Sequence, residues 1–429
     1  MYADRAARAG TVPGLMFSSR DVRQVVLARF ISRIGGEAAF FVGIWGKAAF
    51  ELDAGPRQLA LVMAALGVSS LIGTAVSGVL VDRFDPRRVL IVGEVIFAPV
   101  AISLMFADSI ATLAVGTFFL GLVGAPVFNA ISSFGPFLTD DEGELATINS
   151  RIEAASWAAF VVGPAVGAIA AGRWGVDSIF LIDAVTSGIA ALMVIPVRIR
   201  EVPHEEKQSG WTEMKEGFRY TYGHRRLRFY IWLGSAVWIL FGTFSALEPI
   251  YFRDILGTEV ETMGWVASIF GIGLITGTWI SGRIPQRLRT ARVLTVIVGL
   301  NALGVVAYIG TDMLQVVVVA AIFWGIIIGV MAPLHRTLIQ VNSPDELIGR
   351  IMGVSHIHAE GGHLIPLMIA PALAAVIGVQ PALLLSAVVC ALVAVLFWPA
   401  ATRLDKTRVA TVPRPGLPDP SDEPRSVGH

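Results

Sequence analysis

Residues 58–107 read QLALVMAALGVSSLIGTAVSGVLVDRFDPRRVLIVGEVIFAPVAISLMFA, two apolar runs separated by a turn holding Asp82, Arg83, Asp85, Arg87 and Arg88. A bilayer core about 30 Å thick needs roughly 20 apolar residues per helix, so each run is long enough to cross and the charged turn lies at the water boundary. Working outward, similar runs occur at 22–48, 110–136, 147–172 and 177–197. After a polar stretch from Arg198 to Arg228 they resume at 229–252, 263–283, 291–310, 313–338, 351–377 and 381–400. The pattern predicts an all-α membrane protein of twelve transmembrane helices in two six-helix halves. It divides the chain into an N-terminal segment (1–21), a first half (22–197), a connector (198–228), a second half (229–400) and a tail (401–429).

Composition agrees. Of 429 residues, 55% are hydrophobic and 15% charged, with a mean hydropathy of +0.69, which does not describe water-soluble domains. The 44 glycines suit close helix contacts in a membrane, whereas a β-barrel would show short alternating segments. Zero net charge leaves no excess to attract nucleic acid. The single cysteine, Cys390, permits neither a disulfide framework nor a cysteine metal cluster. No small-residue cleavage site accompanies the first apolar run, so the N-terminus is expected to be retained.

Lys and Arg set the orientation. Arg5, Arg8, Arg20, Arg23, Arg83, Arg87, Arg88, Arg283, Arg287, Arg289, Arg292, Arg336 and Arg350 fall on one side with the connector, against Lys47, Arg57, Arg173 and Arg253 on the other. Both termini are therefore expected in the cytoplasm. The acidic segment with Asp140, Asp141, Glu142 and Glu144 runs against the trend, though acidic residues count little in this rule. In the connector, Trp211, Met214, Phe218 and Tyr222 recur at helical spacing among basic residues, which predicts an amphipathic helix on the inner membrane surface. The proline-rich tail is expected to be disordered.

A gapless shift of 204 residues superposes Gly67 on Gly271, Gly73 on Gly277, Thr74 on Thr278, Ser77 on Ser281 and Gly78 on Gly282. The same shift pairs Arg83 with Arg287, Arg88 with Arg292, Val89 with Val293 and Leu90 with Leu294. Two repeated halves with a path between them are an architecture of alternating-access transporters.

The turn Gly78-Val-Leu-Val-Asp82-Arg83-Phe-Asp85-Pro-Arg87-Arg88 resembles the signature loop G-x-L-x-D-R-x-G-R-R of the major facilitator superfamily, with Asp85 in place of the second glycine. Asn149-Ser150, Gly163-Pro164-Ala-Val-Gly167, Leu181-Ile-Asp183-Ala-Val and Ser343-Pro344-Asp345-Glu346-Leu-Ile-Gly349-Arg350 resemble its bacterial drug:proton antiporter branch, which includes macrolide and tetracycline efflux pumps and the enterobactin exporter. The resemblance implies a conformational latch at Gly78, Asp82, Arg83, Arg87 and Arg88, with Glu94 at an acidic position of the branch. It also implies an antiporter-type kink at Gly163, Pro164 and Gly167. The plainer readings are a solvated basic turn and a packing kink.

Charges at membrane depth each ask for a partner, a wet cavity or a task. Arg29, Arg33 and Glu37 are spaced four apart on span one, and Glu37 suits either proton coupling or a fixed ion pair with Arg33. The resembling transporters place an Asp at the position of Gly36. In span eleven His356, Glu360 and His363 share a face within about 60°, while His358 points away. That face suits proton coupling or substrate contact, hydrogen-bonded packing, or three ligands to a Zn²⁺-like ion. Glu94 is expected to pair with an inner-loop arginine, Asp183 to lie towards the outer side, and Glu248 to offer a counter-charge or mark a helix exit. Phe40, Phe41, Trp45, Trp238, Phe241, Phe244 and Trp324 are candidate cavity walls.

The reading is a proton-driven exporter of a lipophilic small molecule across the cytoplasmic membrane, monomeric and without cofactor. No G-x-x-x-x-G-K-[ST] loop for ATP is present. Alternatives are export of an endogenous siderophore or lysolipid, and an intramembrane metal-dependent enzyme using the span-eleven face.

Overall fold

The computed structural model describes residues 19–139, 141–200 and 210–406, with the backbone alone at 19, 78, 79, 81–83, 142, 143, 210, 211, 213 and 345. Asp140, the N-terminal segment to 18, the tail from 407 and the side chains of Asp82 and Arg83 thus lie outside the described residues.

Helix starts follow from local chemistry. Helix α1 (Ser19–Ala38) continues through π-helical turns at Ala39–Ile44 and Gly46–Glu51. Pro56 opens α2 (Pro56–Arg83), where its missing N–H is no loss. Asp85, the departure from the signature pattern, caps α3 (Pro86–Met105): its Oδ1 accepts from the Arg88 amide at 2.8 Å. Ser109 caps α4 (Ile110–Ser132), accepting from the Thr112 amide. The acidic segment that opposed the charge trend is the start of α5 (Glu142–Trp174), where Asp141 accepts from the Glu144 amide at 2.7 Å. Carboxylates belong there because the helix dipole favours them. Gly175, at φ +81°, turns the chain into α6 (Asp177–Val194).

The connector forms α7 (Gly210–Gly223), followed by α8 (Arg225–Ile250) with a π turn at Tyr251–Ile255, α9 (Val260–Arg283) and α10 (Ala291–Ile309). Helices α11 (Leu314–Gln340), α12 (Ile348–Ile377) and α13 (Val379–Lys406) complete the chain. There is no strand among the described residues. Among the described residues, eleven helices are long and apolar enough to cross a membrane. Helix α1 falls short on composition because it carries Arg20, Asp21, Arg23, Arg29, Arg33 and Glu37.

Two boundaries differ from expectation. Helix α13 continues to Lys406 instead of ending at 400, because Asp405 receives the backbone amides of Ala291 and Arg292, both at 3.0 Å, and so caps α10 from outside. Arg88 and Arg292, paired by the shift of 204, thus each begin a helix capped by an aspartate, drawn from the preceding turn in one half and from α13 in the other. The second half also starts earlier than 229, since α8 begins at Arg225, and the connector helix α7 packs on α12: Gly217 abuts the Arg350 backbone, Glu216 is ion-paired with Arg350, and Tyr222 Oη lies 2.6 Å from His358 Nε2.

The same helix pairs recur in each set of six. Helix α2 packs on α4 as α9 does on α11, α1 on α5 as α8 on α12, and α3 on α6 as α10 on α13. The correspondence extends to single atoms. A Cβ at Gly73 would meet the Leu122 carbonyl oxygen, and one at Gly277 the carbonyl oxygen of Ile326, 204 residues after Leu122. Gly121 meets the Leu66 carbonyl, and Gly325 that of Phe270, again 204 apart. The sets touch each other through α5 and α9, and through α2 with α8 and α12.

Candidate functional site

Between the two sets lies a cavity of about 610 Å³. It extends from Ile44, Met63 and Leu120 past mid-span to Thr74, Asn129 and His356, towards the end of the bundle where α1 starts at Ser19 and α13 ends at Lys406. There His356 is 63% exposed through its side chain, so that end is wet.

The opposite end is closed. Arg253, from the π turn after α8, donates to the carbonyls of Ala49 and Ala54 and pairs with Asp53 at 2.8 Å, bridging the two sets. Asp254 holds the guanidinium from its own side at 2.6 Å. Below this bridge Val260 packs on Gly46, and Gly264 faces the Pro164 carbonyl and Val42.

Span one supplies one charged wall. Arg33 and Glu37 are ion-paired at 2.5 Å, with Glu37 buried. Arg29 donates to Ser156 Oγ at 2.8 Å and sits 4.4 Å above the Phe128 ring, a cation–π contact. Gly163 is where α5 meets this helix: a Cβ there would lie 2.5 Å from Glu37 Cβ and 2.8 Å from the Ile34 carbonyl. Gly167 similarly meets Val42 and Ala38. With Pro164 opposite Gly264, this stretch packs α5 against both α1 and α9.

Helices α8 and α12 supply the other wall. His363 Nε2 lies 3.0 Å from Ser245 Oγ, and His356 and Glu360 are 3.9 Å apart; all three line the cavity, as the shared face predicts. His358 points away, with Nδ1 on the Val354 carbonyl at 2.8 Å and its ring against Trp232. Among the described residues no three His, Cys, Asp or Glu side chains are grouped to hold a metal.

Three expectations are corrected by position. Glu94 is 2% exposed and on the cavity wall, and among the described residues the cation beside it is Arg29 of α1, not an inner-loop arginine. Arg87 and Arg88 are otherwise engaged, Arg87 donating to the Ile195 carbonyl and Arg88 pairing with Asp85 at 3.0 Å. Asp183, the seventh of the 18 residues of α6, is buried and lines the same cavity as Glu94. Glu248 is half-buried in the second set, accepting from Tyr308 Oη at 2.7 Å, and is not among the residues lining the cavity. Among the candidate aromatics Phe40, Phe41 and Trp238 reach the cavity, whereas Trp45, Phe241, Phe244 and Trp324 pack behind it. Sequence reading missed Ser156, Ser245 and the Arg253 bridge; only Arg253, an isolated charge at a span end, carried a signal.

A cavity between two repeated helix sets, open at one end and bolted at the other, defines a polytopic membrane transporter. The chain matches the model of the Major Facilitator Superfamily over residues 25–365 and belongs to that family, as a multi-pass protein of the cell membrane. It is 26% identical over 411 residues to the multidrug efflux pump Tap of Mycobacterium tuberculosis, covering 91% of this chain and 96% of that one. To macrolide efflux protein A of Enterococcus faecalis it is 22% identical over 293 residues, covering 65% of this chain and 89% of the relative. The nucleoside transporter NupG shares the fold with a TM-score of 0.71 at 13% identity, covering 88% of this chain and 98% of that structure. A bacterial homologue of the lysosomal transporter Spinster, inward-facing and unoccupied, gives 0.71 at 14% identity, covering 94% and 100%.

Proposed function

We propose that this protein exports lipophilic small molecules, drug-like compounds among them, across the cytoplasmic membrane by alternating access, in exchange for protons. Helix α1 with its π turns is then the twelfth crossing, both termini are cytoplasmic, and residues 22–197 and 229–400 move as two halves about the cavity. The observation that carries this reading is the cavity itself: aromatic surface from Phe40, Phe41 and Trp238 beside the acidic groups Glu37 and Glu360. Such a wall accepts flat lipophilic cations, by burial of the ring system and by opposite charge. The pump and efflux names of the relatives support the same direction.

In this reading Arg33, Glu37, His356, Glu360 and His363 form the substrate-facing wall, and Gly163, Pro164 and Gly167 let α5 slide on α1. Gly78, Asp82, Arg83, Arg87 and Arg88 latch the cytoplasmic side when the cavity faces outward. Exchange of one proton for one monovalent cation moves no net charge, so the pH gradient drives it, one unit supplying about 1.4 kcal/mol or a tenfold concentration ratio. The test is ethidium uptake into inside-out vesicles energised by a proton gradient. Wild type accumulates the dye and collapse of the gradient releases it; Glu37→Gln and His363→Ala each lower uptake. Absence of gradient-dependent uptake by wild type across a panel of lipophilic cations refutes the proposal.

A further inference from the structure

Two buried carboxyl groups on the cavity wall have no ion-pair partner among the described residues. Asp183 is 1% exposed, and both of its carboxyl oxygens lack any hydrogen-bond partner. Glu94 is 2% exposed and faces it from α3. Ser32 of α1 and Ser187 of α6 lie beside Glu94, and the Ser187 hydroxyl is itself buried without a well-aligned bond. The nearest cation, Arg29, is held by Ser156 and stacked on Phe128, with Glu153 of α5 behind it. Glu37, by contrast, already has its counter-charge in Arg33 at 2.5 Å.

An isolated carboxylate in dry surroundings is expensive, and two facing each other add repulsion. One proton bound by either acid removes the repulsion and spares that acid the cost of a buried charge. We infer that Glu94 and Asp183 act as a pair that carries the exchanged proton, separate from the groups that face the substrate. The inference rests on the proton-driven reading above and names the carrier within it.

Helix α1 links the two tasks. A Cβ on Gly35 would lie 2.8 Å from both Asp183 Cα and Oδ1, so α1 lies directly over the acid. Two residues on, the same helix presents Glu37 to the cavity. Movement of α1 with substrate therefore covers or uncovers Asp183. When the cavity faces outward, a carboxylate oxygen takes a proton from water; when it faces inward, that O–H bond breaks and the proton returns to water on the other side.

The experiment uses the full chain in liposomes, with ethidium as probe and infrared detection of the protonated carboxyl C=O stretch. In a one-for-one exchange, one pH unit sustains about a tenfold ethidium ratio in wild type. In Asp183→Asn that ratio falls to about one while downhill flux persists, and the carboxyl band is lost. Glu94→Gln serves as a second variant in case the asparagine impairs folding, and is expected to abolish the ratio as well. Both variants sustaining the wild-type ratio, or the band surviving in both, would overturn the pair. A wild-type ratio with no protonated band also overturns it. The band without any wild-type ratio overturns the transport reading and leaves the proton site standing.

Discussion

Removing the Arg253 side chain should unbolt the closed end of the cavity. Arg253 reaches from the π turn after α8 to two backbone carbonyls, Ala49 and Ala54, and to Asp53. A hydrogen bond from a charged donor contributes about 1.5–3 kcal/mol, but on opening water replaces part of each bond. The Asp53 carboxylate is 90% exposed, which limits that pair to about 0.2–1 kcal/mol. Together the bridge favours the closed end by about 2–3 kcal/mol, so Arg253→Ala should raise the open fraction about 30- to 150-fold. The assay is maleimide labelling of Val260→Cys, a position 7% exposed against Gly46 below the bridge. The native Cys390 is fully buried and stays silent. Labelling should quicken at least tenfold when Arg253→Ala is added, whereas Asp53→Ala should give at most about fivefold. A rate within twofold of the parent after Arg253→Ala would refute the reasoning, because the bridge would then contribute nothing to closure.

Three further outcomes follow from packing and capping. Gly277→Leu places a side chain against the Ile326 carbonyl and should destabilise the detergent-solubilised protein by about 1–3 kcal/mol, read as a lower Tm, while Gly188→Ala, with nothing within 4 Å, should leave Tm unchanged. Asp85→Ala removes the α3 cap and should lower stability by about 1 kcal/mol in the same assay. Tyr308→Phe removes the donor to the half-buried Glu248 and should cost about 1 kcal/mol of stability, yet ethidium flux per folded molecule should remain, because Glu248 lies off the cavity.

The helices were legible because a membrane demands long apolar runs, and the repeat because close helix contact demands glycine. Gly73 and Gly277 match in sequence since each meets a carbonyl of its neighbouring helix, a contact no side chain tolerates. The facing set on span eleven was legible for a similar reason, as one helix face is a matter of angle alone. What could not be read was depth across helices. Asp183 and Glu94 are 89 positions apart and meet only because α3 packs on α6, a pairing that hydropathy does not encode. Glu248 misled in the opposite sense: its position near a span end suggested exposure, but Tyr308 from α10 closes over it. The Asp85 substitution looked like a loss of the signature glycine and is instead a helix cap.

The repeat explains why the chemistry is lopsided. Matched glycines give both halves the same backbone contacts, so either half can serve as a rigid body in a rocking motion. The ionisable groups are not matched. The first half places Arg29, Arg33, Glu37, Glu94 and Asp183 on the cavity wall, whereas the second places His356, Glu360 and His363 there and withdraws Glu248 behind Tyr308. A duplicated pair of halves with identical charges would face like with like across the cavity at the moment of closure, at a penalty that grows as water leaves. Keeping the guanidinium groups on one wall and the histidines on the other reduces this, with Glu360, the acid of the second wall, beside His356. In the proposed cycle the ligand would sit between these two unlike walls.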